Sequence, residues 1–80
     1  MKLDEALKTR IKEILQEKNI SLTALCLNSN ITPSTIFDFM YGKSKHPSIL
    51  TIKKICAGAD ITLKDFFNRD YFNSTEDVYN

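Results

Sequence analysis

The chain has 80 residues, of which 42% are hydrophobic, and a formal net charge of +1. That is enough for one small domain with one core, and it leaves no space beside the core for a ligand pocket of ordinary size. No apolar run approaches the ~20 residues that span a bilayer, and MKLDEALKTR lacks the apolar stretch of a secretory signal. A soluble, cytoplasmic protein without membrane contact is expected.

The apolar period is helical throughout, and Gly and Pro fall between segments. A first helix is predicted over Leu3–Lys18, with Leu3, Leu7, Ile11, Ile14 and Leu15 on one stripe. Asp4 and Glu5 in its first turn and Lys18 in its last suit the helix dipole. Asn19 follows, a residue that tolerates the left-handed conformation of a helix stop. A second helix is predicted over Leu22–Ser29, capped by Ser21, with Leu22, Leu25 and Cys26 inward. Asn30 sets the next turn. A third runs over Pro33–Tyr41, capped by Thr32, with Pro33 at the first helical position and Gly42 as the stop. A fourth covers Ile49–Ala59 after Pro47 and Ser48, with Ile52, Ile55, Cys56 and Ala59 buried. The fifth covers Leu63–Asn68 or slightly more, capped by Thr62, with Asp65 in the manner of a capping box. Leu63, Phe66 and Phe67 close the core. Residues 1–70 form the domain, and residues 71–80 form a polar tail expected to fray.

Cys26 and Cys56 lie inside apolar helical patterns and read as core thiols. Two Cys and one His, far apart, make no metal motif, so no metal or cofactor is expected. Gly42 and Gly58 stand alone, without a phosphate-binding loop. The single His follows a basic loop, with no activated nucleophile beside it, which argues against an enzyme.

Ser21–Pro47, SLTALCLNSNITPSTIFDFMYGKSKHP, reads as two short helices around a tight turn, then a glycine stop and a basic loop. That is the layout of a helix-turn-helix, which places one short helix in the DNA major groove. Lys43–Lys54 holds four lysines, one histidine and no acid, a local basic patch in a nearly neutral chain.

In order and spacing, RIKEILQEKNIS, LTALC, NITPSTIFDF, GKSKHPS and TIKKICAGADITLKDFF resemble the Cro/C1-type, phage-repressor-like helix-turn-helix family. The resemblance implies an all-α, five-helix domain that binds double-stranded DNA as a dimer and represses or, less often, activates. Asn19, Asn30 and Asp60 stand where the family often has Gly, and Cys26 where it has a small Ala. Leu15 and Met40 stand where some members pair an Arg with an acid, so an ion pair is replaced by an apolar contact.

Within the third helix, Ile36 and Phe39 face the core. Ser34, Thr35, Phe37, Asp38 and Tyr41 are left for the outside. Ser34, Thr35, Phe37 and Asp38 are the candidate base contacts. The hydroxyls can bond several bases, and Asp38 can accept from cytosine N4 or stand as a plain exposed acid. Phe37 can pack on thymine methyls, sugar or a protein partner, or rim the core. No Arg, Asn or Gln lies on this helix, so DNA shape and water carry more of the specificity. Candidate phosphate contacts are Ser21 and Thr23 at the start of the second helix, Tyr41, and the loop Lys43, Ser44, Lys45 and His46. Lys53 and Lys54 read as a solvated face. Ile49, Leu63, Tyr71 and Phe72 are candidates for a dimer contact that the resemblance implies.

The leading expectation is a sequence-specific transcriptional regulator with no sensory domain. The alternative is a protein-interaction module on the same fold, an antitoxin or an adaptor of another regulator. Low net charge and exposed aromatics favour the alternative.

Overall fold

A computed structural model describes residues 1–42 and 46–76. They form five α-helices and a 3-10 turn, with no strand among the described residues. α1 spans Leu3–Lys18, α2 Leu22–Asn28, α3 Pro33–Tyr41, α4 Ile49–Ala59 and α5 Leu63–Phe67, and the 3-10 turn spans Asp70–Phe72.

Three helices end by the same device. Asn19, Asn30 and Asp60 have φ of 54°, 55° and 58°, the left-handed region. Each is followed by an isoleucine whose N–H reaches back five residues. Ile20 N–H donates to the Leu15 carbonyl (3.0 Å), Ile31 to Cys26 (3.0 Å) and Ile61 to Cys56 (2.9 Å). Each isoleucine then packs against the core. This is the Schellman pattern, in which a left-handed residue satisfies two carbonyls and the next residue adds an apolar contact. Short polar Asn and Asp do here what Gly does elsewhere.

Helix starts are set by side-chain acceptors. Ser21 accepts the Ala24 N–H (3.0 Å), Ser48 the Thr51 N–H (3.1 Å) and Thr62 the Asp65 N–H (3.0 Å). At α1 the Glu5 carboxylate accepts the Lys2 N–H (3.0 Å). Thr32, expected as a side-chain cap, makes no such bond. The Thr35 amide donates to the Thr32 carbonyl instead (3.0 Å), and Pro33 has no N–H to give.

The core is built from Leu7, Ile11 and Ile14 of α1, Leu22, Leu25 and Cys26 of α2, Ile36, Phe39 and Met40 of α3, Ile52, Ile55, Cys56 and Ala59 of α4, and Phe66 of α5. Leu15 is half-buried against it, so Leu15 and Met40 both belong to apolar surroundings. Burial raises the pKa of both thiols, Cys26 and Cys56, which are free.

Two expected core residues are displaced. Leu3 is 36% exposed, because the core begins a turn later, at Ala6 and Leu7. Phe67 is 37% exposed: Phe66 takes the inward position of the short α5, and the next residue turns away. Its ring packs on Phe66 and Phe72 instead, with centroids 4.9 and 5.0 Å apart. α5 also stops at Phe67 rather than Asn68, whose ψ of 65° leaves the helix. α2 stops at Asn28, although the Ser29 N–H still reaches the Leu25 carbonyl (2.9 Å).

Packing does not end at residue 70. Tyr71 and Phe72 are half-buried. The Glu76 N–H donates to the Met1 carbonyl (2.9 Å), and the Met1 ammonium pairs with the Glu76 carboxylate (3.1 Å).

Candidate nucleic-acid interface

α3 separates its side chains into two faces. Ile36, Phe39 and Met40 are buried, while Ser34, Thr35, Phe37, Asp38 and Tyr41 are exposed. The Lys8 ammonium of α1 lies 5.4 Å from the centroid of the Phe39 ring on the inner side. On the outer side Phe37 and Tyr41, one turn apart, meet edge to face at 6.0 Å and 79°. Tyr41 is 71% exposed.

Gly42 ends α3 by close approach rather than by a left-handed turn. Its N–H donates to the Asp38 carbonyl (2.8 Å). A Cβ there would sit 2.7 Å from that same oxygen. A side chain at this position would therefore obstruct the exit of the chain from α3.

The start of α2 presents Ser21 and Thr23 to solvent. The Ser21 oxygen is used as the cap acceptor, which leaves its O–H free to donate. His46 is exposed, and Lys43, Ser44 and Lys45 lie outside the described residues. α2 lies against α3 across the turn at Asn30 and packs on α4 behind it. A short first helix braced on the scaffold and a second with a free polar and aromatic face is the geometry of a groove-reading pair.

Residues 10–70 match the Cro/C1-type HTH DNA-binding domain. The chain belongs to the Cro/C1-type helix-turn-helix family. A crystal structure described as prophage Lp1 protein 11 is similar, with 28% identity and a TM-score of 0.80 over 91% of this chain and 97% of that one. No curated protein matches the chain.

The Cro/C1-type fold here carries a polar cluster that the sequence reading missed. Arg10 is 2% exposed, inside the α1 apolar stripe. Its Nε donates to the Phe66 carbonyl (2.7 Å), and a terminal nitrogen donates to the Asp65 carbonyl (3.2 Å). Its other terminal nitrogen lies 3.6 Å from Glu13 and 3.5 Å from Glu17. Arg69 approaches the same two carboxylates at 3.3 and 3.2 Å. The Tyr71 hydroxyl donates to Glu13 at 2.7 Å. The signal was present in the spacing: Arg10 follows Leu7 by three residues and precedes Ile14 by four, which places it on the buried stripe.

The residues named for a dimer contact differ in setting. Ile49 is 65% exposed at the start of α4, beside Leu50 at 62%. Leu63 is half-buried. Tyr71 and Phe72 already have partners within the chain: Glu13 for the hydroxyl, and Phe66 and Phe67 for the Phe72 ring. Among the described residues no cluster could hold a metal ion, and no helix is long and apolar enough to cross a membrane.

Proposed function

We propose that this Cro/C1-type protein is a transcriptional regulator, most simply a repressor, that reads a pseudo-palindromic operator as a dimer with α3 in the major groove. The observation that carries this reading is the outer face of α3, where Ser34, Thr35, Phe37, Asp38 and Tyr41 all stand clear of the core. Ser34, Thr35, Phe37 and Asp38 contact bases. Ser21, Thr23, Tyr41, Lys43, Ser44, Lys45 and His46 contact phosphate, the lysines as point charges.

The single recognition helix supports a dimer. Each chain carries one α3. Half-sites lie ~34 Å apart on one face of DNA, so a second copy brings the second α3. Ile49 and Leu63 are the candidates with apolar surface to spare, and Tyr71 and Phe72 contribute their outer edges.

The test is selection from random-sequence duplex DNA at two salt concentrations. An enriched inverted repeat whose binding weakens steeply with salt supports the reading. A single enriched half-site without dyad symmetry removes the dimer and keeps the DNA reading.

A second reading, a protein-interaction module, draws on exposed Leu27 (69%), Phe37 (39%) and Tyr41 (71%) and on the net charge of +1. No enriched sequence, with only weak salt-sensitive DNA binding, would favour it.

A further inference from the structure

Phe37 is an unusual residue for a groove-facing helix. It is 39% exposed, on the same face as Ser34, Asp38 and Tyr41. Its ring meets the Tyr41 ring edge to face, at 6.0 Å and 79°. PSTIFDFMY contains no Arg, Lys, Asn or Gln, so the side chains that read G or A by two parallel hydrogen bonds are absent from the helix.

The major groove offers one apolar group, the thymine C5-methyl. A phenyl ring laid on guanine O6, cytosine N4 or adenine N6 would strip water from a polar atom and give no hydrogen bond back. Each such loss leaves a desolvated polar atom unpaired and weakens binding. Laid on the methyl, the same ring loses nothing and removes apolar surface from water. Discrimination then comes from the penalty at wrong bases as well as from the contact at the right one.

We infer that Phe37 is a methyl-reading specificity residue, which packs its ring on the C5-methyl of a thymine in each half-site. The inference rests on the DNA-binding reading above. A ring seated on deoxyribose instead would be blind to the methyl, which makes the two placements separable.

The experiment uses the full chain and the duplex enriched by selection, with deoxyuridine replacing thymidine one position at a time. Uracil pairs as thymine does and lacks only the methyl. At one symmetric position the wild type should lose about four-fold in affinity per half-site, the equivalent of ~0.8 kcal/mol for one buried carbon group. Phe37→Ala should bind less tightly and be indifferent to the same replacement. Phe37→Leu, which keeps an apolar side chain, should retain part of the sensitivity and covers the case in which Phe37→Ala binds too weakly to titrate. Wild-type binding unchanged by uracil at every position would overturn the inference and leave the DNA reading intact. So would equal uracil sensitivity in wild type and both variants. Failure to enrich any duplex would overturn the DNA reading and this inference together.

Discussion

Gly58 of α4 and Ser29 at the end of α2 touch so closely that a Cβ on Gly58 would lie 2.0 Å from the Ser29 hydroxyl oxygen and 2.7 Å from its backbone nitrogen. This contact sets how near α2 can approach the scaffold, and α2 in turn carries the turn into α3. Gly58→Ala gains helix propensity of about 1 kcal/mol but forces two backbones apart, an overpacking that costs about 1–3 kcal/mol or more. A net loss of stability is expected in urea titration. Removing the hydroxyl as well, in Ser29→Ala with Gly58→Ala, should not restore the wild-type midpoint, because the clash with the Ser29 backbone remains.

Ser29→Ala alone should behave in the opposite way. The Ser29 hydroxyl oxygen is buried and has no hydrogen-bond partner among the described residues. An unpaired buried polar atom is a cost, so its removal should leave stability unchanged or raise it, by at most about 1 kcal/mol. A clear loss in the same titration would mean that the hydroxyl is satisfied in solution.

Arg10→Ala should be the most damaging polar substitution. It leaves the Phe66 and Asp65 carbonyls without their donor and Glu13 and Glu17 without one of their two cations. Loss of a buried charged donor of this kind costs about 2–4 kcal/mol. Thermal unfolding should show it directly, since 1 kcal/mol moves Tm by roughly 4–8 °C in a domain of this size. Arg10→Lys should recover little, because one ammonium cannot reproduce the fork that reaches both carbonyls.

Alkaline pH should weaken the fold in two stages. Burial raises the pKa of the Cys26 and Cys56 thiols. Burial and the hydrogen bond to Glu13 raise the Tyr71 phenol well above its ordinary range. Each group is held neutral in the folded state and ionises more easily unfolded, so its stabilisation is complete below the unfolded pKa and lost as pH rises beyond it. The decline starts at about pH 8.5 for the thiols and steepens above about pH 10 for Tyr71. Urea midpoints from pH 7 to 11 should show both stages. Tyr71→Phe should begin lower at pH 7 by about 0.5–1.5 kcal/mol and decline less steeply above pH 10.

On DNA, the two classes of contact should respond differently. Lys43→Ala and Lys45→Ala should weaken binding to all sequences and lower the salt slope by about one unit each. Ser34→Ala and Thr35→Ala should leave the slope alone and shift base preference. Equal effects from the two classes, measured on the same set of duplexes, would undo this division of roles.

The turns were the most legible part of the chain. Asn19 and Asn30 read as left-handed stops from residue type, because few side chains tolerate that backbone region, and Asp60 stands where the family resemblance has Gly. The outer face of α3 was legible too, since a 3.6-residue period with Ile36 and Phe39 inward leaves its neighbours outside. Less was legible where a residue's fate depends on a distant partner. The spacing puts Arg10 on the buried stripe, but the acceptor that lets a guanidinium stay there stands 56 residues later in the chain. Tyr71 and Phe72 read as free apolar surface until Glu13, Phe66 and Phe67 were placed beside them.

By itself, then, the sequence determined the helices, their stops and which face of α3 is free, because propensity, capping and periodicity act over a few neighbouring residues. Only the tertiary structure decided that Arg10 is a core donor, that Phe67 is pushed outward and that the segment after α5 docks on α1. Those outcomes depend on contacts between positions that no local rule connects.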